Sequence, residues 1–267
     1  MIVRILIIAI LTGLCPGAHA QQPNAGQIAF ERYVAQVEER IREEESSPDS
    51  FLSVPMSARI ATEAQLRQGQ ILITKQDDSP VRIPGGLIHH WVGLGFIPDA
   101  TIAQVLGVLQ NYDSLVRCYA PEVASSKLLS RDANDFHIAL RLREHKVITI
   151  VLDTEYDVHY GQLDAYHQYS VSRSTHIMEI ADAGEPGEHP LAPGEDHGFL
   201  RKLNTYWRFV REANGTFVRC EAISMTRDVP TGLGWLVSPF IQSVPRDSLR
   251  FTLTATRNAV LQNRDRN

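Results

Sequence analysis

Within residues 27–45 (QIAFERYVAQVEERIREEE), apolar side chains stand at 30, 34, 37 and 41. That spacing puts them on one stripe of a helix. Ser46-Ser47-Pro48-Asp49-Ser50 ends the run. The pattern predicts a second short helix over Met56–Arg67, stopped by Gly69, and a short strand over Gln70–Thr74. A turn-rich connection follows and ends in Pro84-Gly85-Gly86. At residue 87 the pattern changes. LIHHWVGLGF reads as a strand, and Pro98-Asp99-Ala100-Thr101 starts a helix with Asp99 as the candidate cap. Ile102, Val105, Leu106, Leu109, Tyr112 and Leu115 carry helical spacing to about Cys118.

Six strands are predicted after Pro121, at about 123–130, 135–144, 147–160, 165–180, 199–212 and 216–227. The third alternates most clearly. Ile148, Ile150, Leu152, Tyr156, Val158 and Tyr160 share one face, and Thr149, Asp153, Glu155, Asp157 and His159 share the other. Residues 181–198 (ADAGEPGEHPLAPGEDHG) have no apolar period and form a long loop placed to close a pocket mouth. The last segment is ambiguous. Pro245-Arg246-Asp247 opens like a helix, while Leu249, Phe251 and Leu253 alternate like a strand. An antiparallel sheet with one apolar face needs an element laid across it, and a long C-terminal helix would serve. A sheet curled around one helix leaves a gap, and such a gap is an apolar pocket.

Composition adds an address. Arg4, the apolar run Ile5–Leu14 and Ala18-His19-Ala20 before Gln21 have the form of a secretory signal peptide, so export to the periplasm or medium is expected. No later stretch reaches transmembrane length. The 43% hydrophobic content suffices for a core. The formal charge of −5 gives no nucleic-acid footprint. Of the cysteines beyond the leader, Cys118 and Cys220, free thiols are favoured over a bridge.

Candidate chemistry is sparse. His89 and His90 are neighbours on a strand and point to opposite faces, so they cannot share a metal. One is read as a core-facing histidine and the other as packed beneath the N-terminal helix; a sharper reading puts His90 on the cavity wall. Asn214-Gly215 signals a two-residue hairpin turn, which would set Arg208 opposite Glu221 and Tyr206 opposite Ile223, with Arg208, Glu221 and Tyr206 on one face. This group is either an outward ion pair or a polar spot inside the cavity. No HExxH, CxxC, GxSxG or phosphate loop occurs, so neither metal nor cofactor is expected.

HHWVG (89–93), FIPDAT (96–101), NYDSLVRCYAPEV (111–123), NTYWRF (204–209), CEAISMTRDVP (220–230) and VPRDSL (244–249) resemble the START-like superfamily, which includes the polyketide cyclase/dehydrase (SRPBCC) proteins, and within it a group of exported bacterial members. The resemblance covers about residues 85–262. It implies an α+β helix-grip fold, a curved antiparallel sheet wrapped around a long C-terminal helix over 246–262. The chain then divides into a signal peptide (1–20), an N-terminal helical extension (21–80), the helix-grip domain (81–262) and a tail (263–267). The resemblance also implies a cavity for a hydrophobic small molecule or lipid, without supplying a reaction. Ile138, Leu140, Ile150, Leu152 and Tyr156 are expected to line it, with His90, Tyr206, Arg208 and Glu221 as its polar contacts. Trp235, with Leu236 and Phe240, is expected to close one end. Two alternatives stay open: a cyclase or hydrolase using His90 with Glu221, and an envelope interaction module with a filled core and an exposed patch on helix 27–45.

Overall fold

The structure, a computed structural model, describes residues 24–76, 79–145, 149–192, 194–228 and 234–264; the side chains of Met56 and of residues 234–242 are outside that description. Residues 1–20, read from the sequence as a signal peptide, together with Ile148 and the side chains of Trp235, Leu236 and Phe240, therefore lie outside the described residues.

Helix α1 spans Ala25–Glu45, capped by Asn24, whose side chain accepts from the Gln27 backbone N–H at 2.8 Å. Its buried positions include Phe30, Val34, Val37 and Ile41, the stripe the spacing predicts. Helix α2 is Met56–Arg67. Strands β1 (Leu72–Lys75), β2 (Val81–Ile83) and β3 (Gly86–Pro98) follow. Asp99 is not the cap of the next helix: it takes a positive φ of 56°, a conformation Asp tolerates. Thr101 caps instead, in a reciprocal capping box with Gln104. The predicted continuous helix breaks at Asn111 into α3 (Ile102–Leu109), a 3-10 turn (Tyr112–Ser114) and α4 (Leu115–Tyr119). The break frees the Asp113 carboxylate to accept the Leu128 backbone N–H at 2.9 Å, stapling the turn to the next strand.

Strands β4 (Val123–Asp132), β5 (Asp135–His145), β6 (Thr149–Gln162) and β7 (His167–Ala181) form a meander; β8 (His189–Pro190) is a two-residue piece; β9 (Lys202–Glu212) and β10 (Gly215–Arg227) complete the sheet. The main order is β1-β3-β10-β9-β7-β6-β5-β4, all antiparallel. Helix α5, Gly234–Arg264, lies on the inner face. Its buried Leu249, Leu253, Thr256 and Val260 recur at helical spacing, so the local alternation is overridden by packing. A Cβ at Gly93 would collide with Leu253, so the bare backbone there lets α5 lean onto β3. None of the described helices is long and apolar enough to cross a membrane.

The middle of the sheet is buried on both faces. Phe30, Val34, Val37 and Ile41 of α1 pack on Ile88, Tyr206, Ile223 and Met225 of the outer face. Phe51, Leu52 and Leu66 cover Phe96, Val210 and Phe217 of the same face. Strands β3 and β10 are accordingly near-continuous runs of buried residues, without the alternation of β6.

Candidate functional site

Between α5 and the inner face lies a cavity of about 350 Å³. It exists because side-chain sizes across the sheet are unequal. Strands β7, β9 and β10 turn small residues inward: Ser170 and Ser172, Thr205, and Cys220, Ala222 and Ser224. Helix α5 is drawn toward β3 at Gly93, so it does not fill the room beside these strands. Ile138, Leu140, Ile150, Leu152 and Tyr156, the five wall residues expected from alternation, all line the cavity. Leu115, Tyr119, Tyr160, Trp207 and Phe251 add to the apolar and aromatic surface. The charged side chains lining it, Glu122, Arg143 and Glu144, are partly or fully exposed at one end.

Tyrosine hydroxyls at the margin are paired within the protein. Tyr112 and Tyr160 share a 2.6 Å hydrogen bond, and Tyr119 meets Thr256 Oγ1 at 2.7 Å. Burial pushes Tyr156 and Tyr112 up to about 12, so both stay neutral.

His90, Tyr206, Arg208 and Glu221 are not cavity residues. They sit on the outer face, beneath α1, because they share its parity with Ile223. The hairpin turn is Ala213-Asn214 rather than Asn214-Gly215, and Arg208 pairs with Arg219 while Tyr206 pairs with Glu221. This two-residue slip of register changes the partners and preserves the faces, so Arg208, Glu221 and Tyr206 do lie together. The group is neither exposed nor in the cavity, since α1 closes over it. Glu221 accepts from His90 Nε2 at 2.6 Å, from Arg219 Nη1 at 2.6 Å and from Arg40 Nη2 of α1. Tyr33 of α1 meets His90 Nδ1 at 2.7 Å. Arg208 donates to Glu44 Oε2 at 2.7 Å, Glu45 Oε1 at 3.2 Å and the Phe51 carbonyl at 2.9 Å. The Tyr206 hydroxyl donates to Glu38 at 2.8 Å. Burial works against ionisation of Glu221, yet the His90 hydrogen bond and the Arg219 and Arg40 charges hold its carboxyl well below the usual range.

The histidine on the inner face is His89, opposite Ser224 in the register. Its Nε2 lies 3.2 Å from Oγ1 of the cavity-lining Thr226, and burial pushes it down to about 4. It is neutral at physiological pH. Cys118 and Cys220 are free thiols; Cys220 lines the cavity. Among the described residues of the 181–198 loop, none lines the cavity. Glu188 pairs with Arg141 at 2.8 Å and His197 with Glu179 at 2.7 Å, tying the loop to the sheet, while the chain leaving it, Phe199-Leu200, reaches the cavity.

The small inward residues were a usable signal that alternation of apolar residues alone passes over. Ser170, Ser172 and Ser174 recur at period two, as do Cys220, Ala222, Ser224 and Thr226.

No protein-family model matches the chain, and no curated protein does. Solved structures similar to it include a STAR-related lipid transfer protein from Xanthomonas axonopodis, at 18% identity and TM-score 0.44 over 70% of this chain and 98% of that one. The Zhui aromatase/cyclase from a Streptomyces species is similar at 12% identity and TM-score 0.47, over 66% and 94% of the two chains. Human STARD10 is similar at 10% identity and TM-score 0.45, over 79% and 82%. The chemistry of the site is that of this chain's own side chains.

Proposed function

We propose that the protein is exported and holds an apolar or amphipathic small molecule or lipid in the cavity beneath α5. The observation that carries this reading is the cavity itself: about 350 Å³, lined mainly by apolar and aromatic side chains, with charge only at one end. That size falls within the range of small-molecule sites. An acid/base enzyme built on His90 and Glu221 loses its geometric basis, because α1 separates that pair from solvent and the sheet separates it from the cavity. An interaction module using the apolar stripe of α1 is not favoured either, since Phe30, Val34, Val37 and Ile41 are buried against the sheet.

Native mass spectrometry of residues 21–267, purified from the compartment into which the chain is secreted, tests the reading. A co-purified mass released as a lipid or ring compound on denaturation is the expected result. A clean unliganded mass, with no uptake from a hydrophobic extract, overturns it.

A further inference from the structure

The Asn214-Gly215-Thr216 triplet is used neither by the cavity nor by the network under α1. It is an Asn-x-Ser/Thr sequence, and no other asparagine of the chain is followed two residues later by serine or threonine. That sequence is the acceptor signature for N-linked sugar, a modification of surface loops in secreted chains. Glu212 stands two residues before Asn214. An acidic residue at that place completes the longer acceptor sequence that bacterial oligosaccharyltransferases read.

The fold presents the acceptor and hides the rest of the signature. Ala213 and Asn214 form the exposed tip of the β9–β10 hairpin, and the Asn214 side-chain amide makes no hydrogen bond among the described residues. Around it the backbone is fastened to the segment after β3. The Asn214 carbonyl accepts from the Asp99 N–H at 2.8 Å, and Arg211 Nη1 donates to the Ala100 and Gly215 carbonyls at 3.0 and 2.8 Å. Thr216 is 0% exposed, and its hydroxyl donates to the Ala100 carbonyl at 2.6 Å. The tip lies at the strand ends away from Glu122, Arg143 and Glu144. Arg143, near the end of β5, pairs with Val151 at the start of β6, whereas Val210, near the end of β9, pairs with His167 at the start of β7. A bulky group on Asn214 therefore stands clear of the charged end of the cavity.

We propose that Asn214 is a site of N-linked glycosylation, filled while the chain is still unfolded. The donor is an oligosaccharide joined through pyrophosphate to a lipid. The Asn214 amide nitrogen bonds to the anomeric carbon of the first sugar. The bond from that carbon to the pyrophosphate oxygen breaks, and its electron pair leaves with the lipid pyrophosphate. The amide proton passes to a base of the transferring enzyme. That enzyme must reach the Thr216 hydroxyl as well as the amide, and in the folded protein the hydroxyl is buried and engaged. Transfer therefore precedes closure of the hairpin, which suits a chain that crosses a membrane unfolded. Once the strands pair, the sugar is carried outward on the exposed turn. The inference rests on the export part of the reading above and not on the cavity.

The chain is produced in its own source with residues 1–20 intact and recovered from the envelope or medium. Mass spectrometry then reads its N-terminus and the tryptic peptide 212–219. The expected result is a chain that begins at Gln21, with peptide 212–219 heavier by whole sugar residues and the added mass absent from Asn214→Gln. A chain that begins at Gln21 with a bare peptide overturns the inference and leaves export standing. A chain that keeps residues 1–20 removes both. The order of events is read with unmodified protein, an oligosaccharyltransferase and a lipid-pyrophosphate-linked oligosaccharide. The acceptor is either the folded chain or its own peptide 212–219. Transfer to the peptide should be about tenfold or more faster, since the folded site opens only by local unfolding. Equal rates overturn transfer before folding, and no transfer to the peptide overturns the acceptor itself. Neither comparison needs a variant that disturbs the fold.

Discussion

The two faces of one sheet handle polar groups in opposite ways. On the outer face, Arg208, Arg219, Glu221 and His90 are buried and charged or strongly hydrogen-bonded, and helix α1 supplies Tyr33, Arg40, Glu44 and Glu45 to match them. On the inner face the buried polar groups are mostly neutral hydroxyls with the neutral His89, the charged lining residues stand at one end, and the helix laid across them leaves a cavity. The cost of burying a charge without a partner is far larger than that of a hydroxyl. A protein that needs an open interior can therefore line it with serine and threonine, while its charges must be closed over. The richest polar constellation in this chain is thus a fastening, and the plainest wall is the candidate site.

The largest expected effect breaks the fastening. Glu221→Ala leaves Arg219, Arg40 and His90 facing one another without their carboxylate, and should cost about 3–5 kcal/mol in urea unfolding. A loss under about 1 kcal/mol would place the outer network with ordinary surface ion pairs. Next is a pH effect from the inner face. His89 has its pKa lowered by burial from 6.5 to about 4, so the unfolded chain binds more protons in that interval. Its contribution is full above pH 6.5 and declines as pH falls toward 4, a loss of about 3 kcal/mol. Glu221, also lowered, contributes fully above its ordinary 4.5 and loses that contribution below it. Unfolding free energies measured across pH 7 to 4 should show the upper decline in the unaltered protein and not in His89→Gln.

Packing gives a smaller contrast. Ile223 and Ala222 are adjacent on β10 and face opposite ways. Ile223→Phe enters a filled core and should destabilise by about 1–3 kcal/mol. Ala222→Phe enters the cavity, should cost less than about 1 kcal/mol, and should abolish uptake from a hydrophobic extract. Equal costs at the two positions would mean that both faces are equally filled. The smallest effect compares hydroxyls. Tyr206→Phe removes a bond to Glu38 and should cost about 1 kcal/mol, whereas Thr205→Val should stay within about 0.5 kcal/mol.

Much of this arrangement was legible in the sequence. The α1 stripe and the inward residues of β5 and β6 follow from period alone, because each of those elements has one wet face. The helical α5 did not, since Leu249, Phe251 and Leu253 alternate locally and packing decided. The two histidines show the limit most clearly. Alternation separates His89 from His90, but β3 is buried on both faces, so nothing in its own pattern says which side carries the cavity. The partners in the β9–β10 hairpin were missed because the turn closes two residues earlier in register than Asn214-Gly215 suggests. Face survives such a slip and pairing does not, which is why Arg208 and Glu221 were grouped correctly and matched wrongly.

The placement of α1 also sets a timetable. Arg40 and its partner Glu221 are separated by 181 residues, and Glu44 and Arg208 by 164. Helix α1 precedes β9 and β10, two of the strands it clasps, by more than 150 residues of chain. Until β9 and β10 are formed, the helix has neither its apolar seat nor its counter-charges, and closing so long a loop is slow. Helix α1 therefore docks late, and it can do so only on a nearly completed sheet.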